Sequence, residues 1–297
     1  MGAIQVMTQI QPHSTHRSSR EIAEENELST LKLLHVYGHA RRAEIARAIW
    51  PTSSPRMCER MAQRTVRRLT ARKQVAGTLN TLGGDSLLLA RAGAARLRDW
   101  GIDARQGCDM SSITGAQFCH RTLGTRYLIE RQVQGHISYG EHAIASGLAP
   151  VSRRELEHHF MKVPDGLVLL PGNERGYADD GLVCDWIEVE WSRKPYQELK
   201  RIIDVVWKLG AWLDDSHTVM LDRVVFVYDH RRGHEKAIAN ALQRYVLTRP
   251  SDNWNVLLPS IGLARCQIRA PLVWCGYDEI DGGTLLGSEK LPSGVTK

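Results

Sequence analysis

Val163-Pro-Asp-Gly-Leu-Val-Leu-Leu170 and, beyond a polar loop, Leu182-Val-Cys-Asp-Trp-Ile-Glu-Val-Glu190 form the stretch whose reading decides the fold. Both runs are short, rich in Val, Leu and Ile, and bounded by turn-forming residues. An amphipathic segment follows from Pro195, so the stretch predicts strand, strand, helix. Asp165 opens the first strand. Glu188 and Glu190 are two apart in the second, and alternation across a strand puts them on one face about 7 Å apart. Pairing the two strands gathers all three carboxylates at one spot. Such a pocket suits a hard cation: Mg²⁺ takes oxygen ligands and is commonly held by one or two carboxylates plus substrate phosphates. A solvated strand face is the competing reading.

At Pro164-Asp165 and Glu188-x-Glu190 the sequence resembles the PD-(D/E)xK nuclease superfamily, with a glutamate standing where its lysine belongs. The resemblance implies catalytic roles for Asp165, Glu188 and Glu190, metal ligation by Asp165 and Glu188, and Mg²⁺ as cofactor where catalysis operates. It also implies a basic residue moved toward the next helix, for which Arg193, Lys194 and Lys200 are candidates. Lys200, inside that helix, is preferred. Retention of the fold with loss of the chemistry is the alternative.

A chain of 297 residues suggests one large or two ordinary domains. No apolar run reaches the eighteen or so residues of a membrane span, and no signal-peptide core is visible, so a membrane partner is not expected and a cytoplasmic location is. Six cysteines are scattered without a CxxC pair, which argues against a zinc knuckle or a disulfide framework. The net charge of +6 is unevenly spread. Residues 28–106 carry +10, and the segments on either side −2 each. Any polyanion partner is therefore expected to dock first on the first third of the chain.

Residues 1–27 are polar and breaker-rich and read as a disordered arm. Residues 28–106 carry three helical segments, Leu28 to Tyr37, Arg41 to Trp50, and Pro55 to about Lys73. Two short strands with a turn at Gly83-Gly84-Asp85 follow, then a closing helix from Ala92 to Trp100. In the third helix Met57, Met61, Thr65 or Val66, and Leu69 form the expected inward stripe. Arg56, Arg60, Gln63, Arg64, Arg67 and Arg68 form the outward face. This order looks like a winged helix-turn-helix domain. In such a domain the third helix enters the major groove, with Arg reading guanine and gripping phosphate. A merely solvated basic face, or a protein-contacting winged helix, is the other reading.

Residues 115–277 read as the nuclease-like domain. A helix from Gln117 to Gly135 offers Glu130 as a weaker site candidate. A helix is expected from Tyr196 to Asp214, a strand from Arg223 to Tyr228, a helix from His234 to Tyr245 and a strand from Trp254 to Leu258. The overall class is α/β (α+β): an N-terminal winged helix-turn-helix, then a restriction-endonuclease-like α/β domain. Adjacent His158 and His159 lack the His-x-His spacing of relaxases. Residues 278–297 read as a flexible tail.

Leu89-Ala-Arg-Ala-Gly-Ala-Ala95 after the hairpin, together with Pro164-Asp165, Ile187-Glu-Val-Glu190 and Lys200, resembles the replication-relaxation family of plasmids and integrated mobile elements, over residues 28–250. The resemblance implies a DNA-binding role in replication or mobilisation, with a nuclease-like domain that nicks DNA using a divalent metal. Candidate partners are double-stranded DNA, a relaxase or replication protein, and a second copy of the chain. Two other functions stay open. One is a non-enzymatic replication or transcription regulator whose degenerate nuclease-like domain mediates dimer or protein contacts; the other is an interaction module with no DNA role.

Overall fold

The structure, a computed structural model, describes residues 18–80, 84–107, 115–177, 181–249, 253–269 and 272–286. The chain is mixed α/β and divides into two compact units. The first runs to Phe118 and adds Thr125–Pro150; the second joins Cys119–Gly124 to the chain from Val151 onward.

In the first unit, α1 (Ser19–Tyr37) starts within the segment expected to be an arm. Its signal is a capping box rather than a hydrophobic period. The Ser18 hydroxyl accepts from the Glu21 amide, and the Glu21 carboxylate accepts from the Ser18 amide. Residues 1–17 of the expected arm lie outside the described residues. After β1 (His39–Ala40) come α2 (Arg42–Ile49), α3 (Pro55–Ala71), β2 (Val75–Asn80), β3 (Gly84–Leu89) and α4 (Arg91–Asp99). The strands form a sheet of order β1-β3-β2, all antiparallel, and the two-residue β1 escaped the sequence reading. Gly83 of the expected turn is outside the described residues. Leu31, Leu34, Ile45, Ala62, Leu69, Leu89 and Leu97 make the core.

The inward stripe of α3 is Ala62, Thr65, Val66 and Leu69, while Met57 is exposed. The expected stripe thus holds only over the last three turns, and the first turn of α3 stands clear of the core. Helix α5 (Gly115–Val133), β4 (Ile137–Gly140) and α6 (Glu141–Ala145) follow, and all but Cys119–Gly124 of α5 belongs to this unit.

The second unit contains α7 (Arg153–Phe160), β5 (Gly166–Pro171), β6 (Leu182–Glu190), α8 (Tyr196–Val206), β7 (Val219–Asp229), α9 (His234–Thr248), α10 (Trp254–Leu257), β8 (Ile261–Arg269), β9 (Val273–Asp281) and α11 (Gly282–Leu286). Its strands are ordered β5-β6-β7-β8-β9. β5 and β9 run antiparallel to their neighbours, and β6, β7 and β8 are mutually parallel, giving a mixed sheet. β6 is buried along nearly its whole length, as an interior strand covered on both faces must be.

Three expectations are corrected here. Trp254 to Leu258 is helical, not a strand: Trp254 packs edge-on against Trp207 and Tyr245, and its indole N–H donates to the Arg249 carbonyl. The helix from Tyr196 stops at Val206; Gly210 (φ 81°) turns the chain, and Asp214 ties the return by accepting from the Thr218 and Val219 amides. Asp278 to Asp281 completes β9, and α11 follows, so the described part of the expected tail is regular. Residues 287–297 lie outside the described residues.

Candidate functional site

Asp165 sits one residue before β5. Its amide donates to the Ile187 carbonyl at 2.9 Å, extending the antiparallel ladder in which Gly166 faces Ile187, and this sets Asp165 opposite Glu188. Glu188 and Glu190 share one face of β6 by alternation. The three acids that the sequence singled out therefore meet at the C-terminal end of β6.

Residues from α5, β6 and the flanking loops complete the cluster. On α5, Gly124 lets the helix approach β6 closely, since a Cβ there would lie 3.0 Å from a Val189 methyl. One turn earlier, His120 reaches Asp165 Oδ1 at 3.1 Å. The Val189 amide donates to Asp165 Oδ2 at 2.8 Å. Lys162, three residues before Asp165, places its ammonium 3.0 Å from Glu188 Oε1, which also accepts from the Trp186 indole at 2.8 Å. Lys194 lies 2.7 Å from Glu190 Oε1 and 3.9 Å from Glu188 Oε2. Neither His120 nor Lys162 stands out in the sequence.

The electrostatics follow from crowding three acids and two lysines in a mostly dry site. Burial opposes ionisation of Asp165, but His120, the Val189 amide and Lys194 outweigh it and hold this carboxyl below its usual range. Burial dominates at Glu188, is reinforced by the Asp165 charge, and pushes its carboxyl up in spite of Lys162 and Lys194. Glu190 is pushed up to about 7, again by burial, against the pull of Lys194. Lys194 is raised, because Glu190, Glu188 and Asp165 outweigh its desolvation. Asp165 is therefore the acid of the three that ionises most readily, and burial holds the two glutamates back.

Lys200 is not part of the cluster; its ammonium is bonded to Asp204 at 2.9 Å, one turn along α8. Glu130 belongs to the first unit, where its carboxylate takes a two-pronged bond from Arg47 and an ion pair from Arg126 at 2.8 Å. It is a structural counter-ion. His159 pairs with Asp215 at 2.9 Å.

Among the described residues, no group of three or more His, Cys, Asp or Glu is arranged to hold a metal. Asp165 and Glu188 nonetheless fit a Mg²⁺ held partly by water and phosphate. Glu188 Oε2 is buried without a hydrogen-bond partner, the Lys194 ammonium being 3.9 Å away, and so has a coordination position to offer.

In the first unit, Arg56, Arg60, Gln63, Arg64 and Arg67 of α3 are exposed, and among the described residues none of the four arginines forms an ion pair. Arg68 departs from that face. Its Nε donates to Glu27 Oε1 of α1 at 2.7 Å, because the helix winds its last turns toward α1. Comparison with protein-family models, with curated proteins and with solved structures gives no match. No helix among the described residues is long and apolar enough to cross a membrane.

Proposed function

We propose that this protein binds duplex DNA through a winged helix-turn-helix in its first unit and acts in replication or mobilisation of a plasmid or integrated element. The observation that carries the reading is the set of four exposed arginines on α3 that have no carboxylate partner among the described residues. An arginine without a counter-ion on a helix followed by a hairpin is suited to phosphate and guanine.

The second unit, on this proposal, is a nuclease-like body that acts on the phosphodiester. Mg²⁺ held by Asp165 and Glu188 would supply an activated water and stabilise the developing charge. His120 fixes the Asp165 carboxylate through its 3.1 Å contact. Lys194, four residues past the glutamate that replaces the motif lysine, returns an ammonium to within 2.7 Å of that glutamate. It thereby takes the part expected of Lys200. The regulator reading has its own support, since Lys162 and Lys194 already neutralise Glu188 and Glu190.

Nicking of supercoiled plasmid in Mg²⁺ or Mn²⁺ separates the two readings. Activity in the wild type that falls about a hundredfold or more in Asp165→Asn and Lys194→Met, but not in Lys200→Met, supports hydrolysis. Equal nicking by all four proteins identifies a contaminant and removes the nuclease. Absent nicking with intact, salt-sensitive duplex binding leaves the regulator.

A further inference from the structure

Arg56, Arg60, Arg64, Arg68 and Arg72 recur every four residues, so they form one ridge along α3. At 1.5 Å per residue the ridge is about 24 Å long. Its first three members are exposed; the last two converge on Glu27 of α1, a residue almost wholly buried. Arg68 Nε bonds Glu27 Oε1 at 2.7 Å, and Arg72 bonds Oε2 at 2.6 Å. Arg96 of α4 donates to the same Oε2 at 2.8 Å and to the Gln74 side chain at 3.0 Å.

Three guanidiniums thus crowd a single carboxylate. Glu24 on the rim lies 3.9 Å from Arg96, and Arg20 adds a fourth guanidinium, so four arginines and two glutamates leave two positive charges in surplus around a cavity of about 180 Å³ lined by Arg20, Ala23, Glu24, Glu27, Arg68, Arg72 and Arg96. Like charges held this close repel unless an anion joins them. Each guanidinium carries five N–H donors. Arg72, 54% exposed, bonds Glu27 with one nitrogen and has no other side-chain acceptor among the described residues. The planar donor fork of a guanidinium matches the oxygens of a tetrahedral oxyanion.

We propose that this cavity is a phosphate-binding site, closed on its inner side by Glu27 and gripped by Arg72 and Arg68. The occupant is either a backbone phosphate of the duplex seated on α3 or a free phosphate group. In the first case the site extends the duplex-binding reading. In the second it stands without it.

The test is calorimetric titration of inorganic phosphate into the full chain and into Arg72→Gln, alongside duplex binding measured across salt concentrations. Saturable phosphate binding by the wild type, weakened about tenfold in Arg72→Gln at unchanged melting temperature, is the expected result. A salt slope reduced by about one in Arg72→Gln assigns the phosphate to the DNA backbone. An unchanged slope with lost phosphate binding assigns it to a free ligand. Arg60→Gln serves as the independent control: loss of duplex binding by neither variant would overturn the α3 reading without touching the cavity. Phosphate bound equally by wild type and Arg72→Gln, or by neither, would overturn the cavity itself.

Discussion

Glu190 shows how a single side chain reports its surroundings. Its residue type suggests a solvated strand acid, yet burial beside Glu188 and Asp165 pushes its carboxyl to about 7, with only Lys194 pulling the other way. In an unfolded chain it titrates near its ordinary 4.5. Between those values the folded state binds more protons than the unfolded state, so the stability that Glu190 contributes is present at low pH and lost as pH rises through about 7. The change is at most on the order of 3 kcal/mol, since the carboxyl moves from 4.5 to about 7 and a tenfold difference in proton affinity is worth about 1.4 kcal/mol. Urea denaturation at pH 5 and pH 8 should give a smaller difference for Glu190→Gln than for the wild type. Identical pH dependence in the two proteins would show that the proton resides elsewhere in the cluster. The same residue explains part of what the sequence concealed. Strand spacing made the meeting of Asp165, Glu188 and Glu190 legible. His120 lies 45 positions before Asp165 and reaches it only because α5 packs on β6, which no local pattern encodes. That Lys194 stands beside the acids and Lys200 does not depends on the turn between β6 and α8. That turn folds an ammonium back onto the strand, while Lys200 finds Asp204 within its own helix.

Elements were legible where a period had room to repeat. β6 is legible with the limits that it has, Leu182–Glu190, because nine residues of buried strand exclude most alternatives. The four residues of α10, three of them apolar, gave no such room, and tertiary packing of Trp254 decided for helix. The two residues of β1 carry no period at all. β9 alternates between exposed and half-buried positions at the sheet edge, so its polar residues resembled a tail. Helix α4 rests on the hairpin through a feature that a period also misses. A Cβ at Gly93 would lie 2.3 Å from the Gln74 carbonyl oxygen and 2.8 Å from a Leu89 methyl. That carbonyl already accepts from the Ala90 amide and is backbone, so it cannot swing aside as a side chain would. Gly93→Ala should therefore destabilise the first unit by about 1–3 kcal/mol although alanine is the better helix former. Chemical denaturation measures it, and a variant as stable as the wild type would mean that α4 shifts freely on the hairpin. The arginines of α3 behave oppositely: Arg60 and Arg64 are exposed, and their loss should leave stability within about 0.5 kcal/mol.

At the scale of the molecule, composition and contacts divide the chain differently. The sequence reading placed a boundary between residues 106 and 115, with the net positive charge before it. Contacts instead carry residues 125–150 back into the first unit and send 119–124 to the second, so that α5 serves both. The reason is visible in what residues 125–150 supply. The Tyr37 hydroxyl, inside the first unit, bonds Ser138 at 2.8 Å and Gln132 at 3.0 Å, and burial pushes that phenol far above its ordinary range. Arg47 on α2 finds its carboxylate in Glu130 at 2.7 Å. Removing these partners strands a buried hydroxyl, leaves an arginine uncompensated and uncovers the apolar face beneath, losses of about 1–3 kcal/mol for each polar group alone. A fragment of residues 1–114 should consequently melt about 10 °C or more below a fragment of residues 1–150. If duplex binding belongs to the first unit, the longer fragment should also retain the salt slope of the full chain, with the shorter one losing affinity as it unfolds. Thermal melts followed by circular dichroism and anisotropy titrations compare the two. Equal melting temperatures would show that the basic third of the chain is a domain in its own right, and that Glu130, Gln132 and Ser138 decorate it rather than complete it.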